Sequence, residues 1–256
     1  MLDFVVCSNE QLNDKNYLLR VSPITNEPLP QMKPGQFVQI LVGNSPSTYL
    51  RRPISINFVD YAANELWLLV QRVGDGTAKI ASLEAGETLN MLYPLGNSFS
   101  IPTSNSAKTL LIGGGVGVAP MLFLGQILKD NGFSPDFLLG GRSSKDLLLL
   151  DEFEKYGTVY CTTEDGSRGE KGFVTNHPVL TEKNYNYIYT CGPKPMMVAV
   201  AKHAHAQGIE CEASLENLMA CGFGACLCCI EKTTRGNVCA CTEGPVFNIK
   251  ELTWID

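Results

Sequence analysis

The feature that most constrains this chain is a run of cysteines near its carboxyl end. Cys221, Cys226 and Cys229 form a C-x4-C-x2-C arrangement, and Cys239 and Cys241 follow within a dozen residues. In plant-type proteins this spacing provides three of the four thiolates that bind a [2Fe–2S] cluster. The glycines between the cysteines suit such a loop, because glycine readily adopts positive φ and lets backbone N–H groups approach sulfur. The spacing therefore predicts an iron–sulfur loop.

Other interpretations of the cysteine run are a zinc site, a disulfide framework and chance clustering. Zinc ligands usually come as two short cysteine arms that are well apart in sequence, whereas here the three cysteines of the C-x4-C-x2-C arrangement, together with Cys228, fall within nine residues. The chain opens Met-Leu-Asp-Phe, without the basic start of an export signal, and it contains ten cysteines. This combination indicates a reducing compartment. We therefore expect a cytoplasmic protein whose cysteines bind metal or take part in redox chemistry.

Composition places the chain among well-cored proteins that do not bind nucleic acid. Its 256 residues are enough for one large domain, or for two ordinary domains and a small appendage. They are 45% hydrophobic and 18% charged, and the net charge is −6. The twenty uncharged residues from Thr109 to Leu128 are long enough to cross a membrane. Pro120 and five glycines interrupt them, so we expect a strand, a glycine turn and a helix instead, and no membrane partner.

Two patterns of secondary structure divide the chain. Up to about residue 100, short apolar runs separated by glycine turns predict an antiparallel barrel or sandwich. From Lys108, strands that begin near residues 109, 137, 159 and 187 alternate with helices, of which 120–131 and 194–207 are the clearest. This rhythm predicts a parallel, doubly wound sheet. With the polar segment 101–107 as a boundary, the predicted domains are 1–102, 103–208 and 209–256.

Two motifs in the first domain are candidate phosphate sites. Arg51-Arg52-Pro53-Ile54-Ser55 places two arginines before a β-run, where they either form a solvated edge or bind an anion. Gly74-Asp75-Gly76-Thr77 fits a hairpin turn and also fits a phosphate-binding turn before a short helix. Spacing alone leaves both motifs open.

The segment from Gly113 to Pro120 is a stronger candidate because its context is right. Its glycines directly follow a predicted buried strand and precede a helix, where a backbone can approach a phosphate. The segment departs from G-x-G-x-x-G, since Pro120 takes the last position. The next strand also lacks the acid that would bind the ribose of NAD, because it ends in Gly-Gly-Arg142-Ser. The choice between NAD and NADP therefore stays open. Cys191-Gly-Pro likewise follows a strand, either beside a ligand or as a buried helix start.

In this order, the motifs resemble those of the ferredoxin–NADP reductase superfamily. The cysteine run and Cys241-Thr-Glu-Gly-Pro-Val-Phe247 narrow the resemblance to the electron transfer subunits of class 1B dihydroorotate dehydrogenase, over the whole chain. This resemblance implies an all-β FAD-binding barrel, an α/β doubly wound nucleotide-binding domain and a small C-terminal [2Fe–2S] domain. It also favours NAD over NADP.

The resemblance also implies roles for individual residues. FAD would be bound by Arg52, Pro53, Ile54, Ser55, Leu69, Val70, Gln71, Gly76 and Thr77, with Arg52 on the pyrophosphate. NAD would be bound by Gly114, Gly115, Gly117, Cys191, Gly192 and Pro193. The cluster would be bound by Cys221, Cys226, Cys229 and Cys241. Cys241 is preferred to Cys239 because it begins the Cys-x-x-Gly-Pro-Val-Phe segment, and Cys228 is an extra cysteine beside Cys229.

A chain of this kind requires a partner. The resemblance implies an FMN-containing catalytic subunit that oxidises dihydroorotate, in a heterotetramer of two plus two, during pyrimidine (UMP) biosynthesis. Electrons would then pass through [2Fe–2S] and FAD to NAD+. One alternative is a reductase subunit that serves another partner, such as a ferredoxin or a sulfite-reducing complex. Another is a zinc-stapled interaction module on a cofactor-free scaffold.

Overall fold

The structure is a computed structural model that describes residues 1–25, 27–43, 47–104 and 106–255. Residue 105, within the predicted boundary segment, lies outside the described residues. The amino-terminal part is a closed antiparallel barrel with the strand order β1-β2-β5-β4-β3-β6, which confirms the predicted barrel. Its strands are β1 (Leu2–Gln11), β2 (Asn16–Pro23), β3 (Phe37–Ile40), β4 (Arg52–Asp60), β5 (Glu65–Gln71) and β6 (Thr88–Leu95).

The barrel has its own core, and one strand also serves a second core. Val38 and Ile40 of β3 are fully buried among apolar side chains of the barrel interior. Side chains alternate along a strand, so Phe37 points the other way. Phe37 packs in the core that contains Cys229 and Cys241. Strand β3 therefore separates the barrel interior from the cysteine-containing segment.

A short helix, α1 (Asp75–Ala81), follows β5. Gly74 precedes it in extended conformation, with φ at −158°. The hydroxyl of Thr77 accepts hydrogen bonds from the backbone N–H groups of Val73 and Gly74, at 3.0 and 3.1 Å, and so fixes the turn. Of the two interpretations of this motif, the structure therefore shows the turn before a helix. At seven residues, α1 is too short to show a helical period in the sequence.

The second part of the chain is an α/β unit around a seven-stranded sheet of order β10-β9-β8-β7-β11-β12-β15. The pairs are parallel except for β12 with β15, which confirms the doubly wound prediction. Its strands are β7 (Thr109–Gly114), β8 (Asp136–Gly141), β9 (Thr158–Thr163), β10 (Glu170–Lys171), β11 (Tyr187–Cys191), β12 (Glu210–Ser214) and β15 (Val246–Asn248). Its helices are α2 (Ala119–Asp130), α3 (Leu150–Glu154), α4 (Val179–Glu182) and α5 (Lys194–Ala206).

The strand order of this sheet reverses beside β7. The next strand along the chain, β8, lies on one side of β7, and the later strand β11 lies on the other. Ligands of doubly wound proteins bind at such a switch point, outside the carboxyl ends of the strands. The segment that could have been mistaken for a membrane span forms β7, a 3-10 turn and most of α2. Within the described part of the chain, we find no helix with the length and apolar character needed to cross a membrane.

The carboxyl-terminal segment is less separate than its predicted boundary suggests. Strands β12 and β15 both lie beyond residue 208, yet they belong to the seven-stranded sheet. Between them lie the cysteine loop and a hairpin of β13 (Ile230–Thr233) and β14 (Gly236–Cys239). The domain limits stay predictions, and the sheet runs through the second of them. The sheet continues past residue 208 because β12, which follows α5, pairs in parallel with β11 as the next strand of the α/β unit.

The barrel and the α/β unit are joined on two sides. On one side, the amide of Asn57 donates to the carbonyl of Ala119 at 2.9 Å, and Phe58 packs against Phe123. On the other, the Asn97 side chain, just after β6, donates to the carbonyls of Glu243 and Val246, at 2.6 and 3.1 Å. It also accepts from the Val246 N–H at 3.1 Å. Asn97 therefore ties the barrel directly to the cysteine segment.

Candidate functional site

The cysteine loop takes its shape from residues with positive φ. Gly222 and Gly224 have φ of +81° and +83°, and Leu227 has φ of +56°. Glycine adopts this region at low cost, whereas leucine does so only under constraint from its surroundings. Gly222 also lies against the barrel, since a Cβ there would be 2.7 Å from Cγ of Gln39. The glycines thus allow a tight loop to pack on β3.

Backbone N–H groups of this loop point at cysteine sulfur atoms. Phe223 N–H donates to Sγ of Cys221 at 3.5 Å, and Gly224 N–H donates to Sγ of Cys241 at 3.1 Å. The N–H of Cys241 in turn donates to Sγ of Cys229 at 3.4 Å. Such donors stabilise negative charge on sulfur, which is what a metal thiolate requires. The donor set therefore fits an iron–sulfur cluster.

The electrostatics of Cys221 agree with that geometry. Burial raises the pKa of this thiol, but hydrogen bonds from the backbone of Phe223 and Cys226 outweigh burial, and the pKa falls to about 6. The thiolate is the form that binds metals. In contrast, burial and a hydrogen bond with Cys229 together raise the pKa of the Cys241 thiol to about 12. Neighbouring sulfur atoms of this loop therefore differ in how readily they lose a proton.

The structure brings Cys221, Cys226, Cys229 and Cys241 into one neighbourhood, and Cys239 lies there too. Interactions with Cys229 raise the pKa of both Cys239 and Cys241, in addition to burial. Cys241 is buried and receives a loop N–H, whereas Cys239 is half-buried. Among the described residues, no three His, Cys, Asp or Glu side chains are arranged to hold a metal ion. The ligand set with Cys241 as its fourth member stays a prediction.

In the barrel, the two adjacent arginines have different surroundings. Arg51 donates to the carbonyls of Gln39 and Asn90 and to the Asn90 side chain, so it joins β3 to β6. Arg52 lies over Gly76 instead, since a Cβ on that glycine would be 2.7 Å from its Nε. The predicted anion-binding arginine and the predicted phosphate turn are therefore in contact. This arrangement provides a guanidinium beside backbone N–H groups.

The other residues predicted to bind flavin lie on β4 and β5, near Arg52. Pro53, Ile54 and Ser55 are half-buried, and so is Gln71. Leu69 and Val70 are buried at 2% and 0% exposure, Leu69 against the α/β unit and Val70 inside the barrel. Their side chains support the two cores, so any contact they make with a flavin would use the backbone. These assignments stay predictions.

The predicted nucleotide residues come together at the switch point. Gly113 pairs with Cys191 in the sheet, so the loops after β7 and β11 are adjacent. A Cβ on Gly117 would lie 2.4 Å from Cα of Gly192 and 2.6 Å from the Cys191 carbonyl oxygen. A Cβ on Gly114 would meet Pro193 at 3.1 Å. Only glycine allows these two backbones to approach so closely.

Cys191 ends β11 at this junction, with 8% of its surface exposed. Burial and, to a smaller extent, the nearby Glu216 carboxylate raise the pKa of its thiol to about 12. The thiol is therefore neutral at physiological pH. It provides a small, weakly polar surface beside the switch point.

The sequence interpretation missed Asp146. A carboxylate oxygen of Asp146 accepts hydrogen bonds from the N–H and the hydroxyl of Ser143, both at 3.0 Å. This turn directly follows Arg142 and the end of β8, so an acid does lie near the strand end at which many doubly wound proteins carry a ribose-binding acid. The Ser-x-x-Asp spacing is a capping-box pattern that could have revealed it.

Comparisons with known proteins agree with this geometry. Residues 216–253 match the family described as the iron-sulfur cluster binding domain of dihydroorotate dehydrogenase B. Residues 111–202 match the oxidoreductase NAD-binding domain. The chain is also similar in structure to the NADH-dependent reduced ferredoxin-NADP oxidoreductase, with a TM-score of 0.88 and 27% identity, covering 99% of this chain and 90% of that one. A flavohemoglobin from Malassezia yamatoensis shares the fold, with a TM-score of 0.67 and 19% identity. The match covers 81% of this chain and 57% of that one.

Curated relatives extend the similarity over nearly the whole chain. One from Listeria monocytogenes serovar 1/2a is 40% identical over 251 residues, covering 96% of both chains. Another, from Bacillus velezensis, is 37% identical over 254 residues, again covering 96% of both. Both relatives are named dihydroorotate dehydrogenase B (NAD(+)), electron transfer subunit. Matches this extensive, together with the cysteine loop and the switch-point glycines, show that the chain belongs to the family of the electron transfer subunits of dihydroorotate dehydrogenase B.

Proposed function

We propose that this chain is the electron transfer subunit of an NAD+-dependent dihydroorotate dehydrogenase in pyrimidine biosynthesis. The observation that carries the proposal is that three candidate cofactor sites lie in one continuous body. The barrel presents Arg52 against Gly76, the switch point lies beside β7, and Asn97 links the barrel to the cysteine segment. Cofactors bound at these sites would lie in neighbouring parts of one molecule, as electron transfer requires.

The residues at these sites fit FAD, NAD and a [2Fe–2S] cluster. When bound, FAD exchanges electron pairs with NAD(H) and single electrons with the cluster, which joins the two kinds of chemistry. Arg52 and the turn at Gly76 would hold the FAD pyrophosphate. Gly114, Gly115 and Gly117 would accept the NAD pyrophosphate, beside the loop of residues 191–193. The four cysteines would hold the cluster, with backbone N–H groups stabilising its charge.

Asp146 supports NAD as the nucleotide. A carboxylate accepts hydrogen bonds from ribose hydroxyls, and it repels the 2′-phosphate that distinguishes NADP. Its position is fixed by Ser143, whose backbone and hydroxyl both donate to it. Arg142 is exposed in the same turn. The choice of NAD therefore rests on the carboxylate, because Ser143 holds it in place, whereas the Arg142 side chain is exposed.

An FMN-containing catalytic subunit that oxidises dihydroorotate is the proposed partner. Large apolar side chains are exposed around the cysteine loop: Leu218 at 86%, Phe223 at 59% and Leu227 at 63%. Large exposed apolar groups this close together along the chain indicate an interaction surface. A partner bound there would lie next to the cluster. We propose an assembly of two such chains with two catalytic subunits.

A second candidate function is a reductase subunit that serves another electron carrier. The structural similarity to the NADH-dependent reduced ferredoxin-NADP oxidoreductase favours it as the runner-up. The two functions predict different partners for the same apolar surface. Purification from the native cells under anaerobic conditions would distinguish them, because a co-purifying FMN protein with dihydroorotate activity supports only the first.

The primary test is an absorption spectrum and metal analysis of the anaerobically purified protein, before and after NADH. We expect flavin bands, a broad absorption at longer wavelength, two iron atoms per chain and bleaching of both features by NADH. The variant Cys241→Ser should lose iron, whereas Cys7→Ser, at an exposed barrel position, should retain it. Zinc in place of iron would refute the proposal. Mass measurement of the complex would test the heterotetramer, which a simple heterodimer would contradict.

A further inference from the structure

Gln39 lies on the face of β3 that points away from the barrel interior. Its neighbours in the strand, Val38 and Ile40, fill the barrel core. Gln39 shares the opposite face with Phe37, because side chains two residues apart in a strand point the same way. Phe37 packs in the core that contains Cys229 and Cys241. The strand therefore directs the Gln39 side chain toward the cysteine segment.

The amide of Gln39 is buried without a hydrogen-bond partner. The residue has 0% exposure, and both its Nε2 and its Oε1 lack a protein partner. In the described part of the chain, no other buried amide side chain leaves both polar atoms unpaired. Buried polar groups in native proteins are nearly always satisfied, so such an amide indicates a partner outside the polypeptide.

The closest part of the cysteine segment is the loop residue that follows Cys221. A Cβ on Gly222 would lie 2.7 Å from Cγ and 3.0 Å from Nε2 of Gln39. A cleft of about 300 Å³ opens beside this contact, between Leu95 of the barrel and Phe223 and Cys241 of the loop. The amide nitrogen thus reaches the loop from the barrel side. The backbone donors described above approach the sulfur atoms from within the loop itself.

We propose that the side-chain amide of Gln39 donates a hydrogen bond to a sulfur atom of the [2Fe–2S] cluster or of its ligand Cys221, and so raises the reduction potential of the cluster. The inference rests on the proposed function, since it requires the cluster. Reduction adds one electron to the cluster, and a hydrogen-bond donor stabilises the added negative charge. Because Gln39 belongs to the barrel, the potential of the cluster would depend on the domain predicted to hold the flavin.

The test is a potentiometric titration of the complete protein, in which EPR follows the cluster and absorbance follows the flavin. Gln39→Leu and Gln39→Met remove the donor while nearly keeping the volume. We expect the equilibrium constant for cluster reduction to fall about tenfold, which is about 59 mV for one electron, with the flavin potential unchanged. Gln36→Leu is the matched control, because the Gln36 amide already donates to the Gly96 carbonyl and accepts from Lys33 N–H. This control should not change the cluster potential.

A second measurement needs no substitution. Protein labelled with 15N only in glutamine side chains should show hyperfine coupling between that nitrogen and the reduced cluster in pulsed EPR. Unchanged cluster potentials in both Gln39 variants, or a shift of the flavin potential alone, would overturn the inference, as would the absence of 15N coupling. A wild-type protein without an iron–sulfur signal would instead refute the proposed function.

Discussion

Gly117→Ala tests whether the close contact at the switch point is needed to bind the nucleotide. The added methyl group would lie 2.4 Å from Cα of Gly192 and 2.6 Å from the Cys191 carbonyl oxygen. Carbon atoms in contact are normally about 3.5–4.0 Å apart, so the two backbones must separate by about 1 Å. Neither contact atom belongs to a flexible side chain. We expect a loss of about 1–3 kcal/mol in the free energy of unfolding, as for other overpacked sites.

The effect of this substitution on NADH oxidation should be larger than its effect on stability. A displacement of about 1 Å at a site that orients reactants can lower a rate about 100-fold. We therefore expect flavin reduction by NADH, followed by anaerobic stopped-flow absorbance, to slow by about that factor. Reduction by dithionite should stay normal, which would show that both cofactors are retained. Gly43→Ala is the control, because a Cβ there meets nothing within 4 Å. Wild-type rates of reduction by NADH in Gly117→Ala would refute this account of the site.

Three further predictions concern individual side chains. Asp146→Asn removes the charge that repels a 2′-phosphate, and the ratio of kcat/KM for NADH to that for NADPH should fall about tenfold or more in steady-state assays. Arg52→Ala should raise the Kd for FAD about 10- to 100-fold in equilibrium dialysis, because it removes a charge-assisted contact, whereas Arg51→Ala should mainly lower thermal stability. Burial raises the pKa of the Cys191 thiol from 9.0 to about 12. The thiol therefore stabilises the fold fully below pH 9, and that contribution is lost as pH rises through 12. Peptide mapping at pH 8 should accordingly find Cys191 unmodified by iodoacetamide and the exposed Cys7 alkylated.

Much of the fold was predictable because its signals are local. The apolar run that opens β7, the glycines after it and the helix before Gly208 each depend on neighbouring residues, and the structure has strands and helices where they were predicted. Gly208 itself has φ of +65°, as expected for a residue that ends a helix. Helix α1 was only one of two interpretations of residues 74–77, because seven residues carry too little periodicity to decide between them.

What the sequence did not reveal depends on contacts between distant residues. Asn97 lies about 150 positions from the segment that it binds. The contact between Arg52 and Gly76 joins the first residue of β4 to the first turn of α1. In the sequence, nothing distinguishes Gln39 from an ordinary strand residue. Its special position appears only in the fold, which places Gly222 against it. Asp146 was overlooked because the usual dinucleotide-binding fingerprint has its acid directly at the end of the strand, whereas Asp146 comes several residues after β8. A turn of the chain brings it back to Ser143.

The strands that flank the cysteine loop have a consequence for dissecting this protein. Truncation after residue 208 would remove β12 and β15 together. Strand β11, now an interior strand between β7 and β12, would become an edge with a row of unpaired backbone groups, which promotes aggregation. The iron–sulfur segment is therefore not a module that can be transplanted or deleted cleanly. Chimeras between members of this family should exchange the whole unit from residue 108 onward.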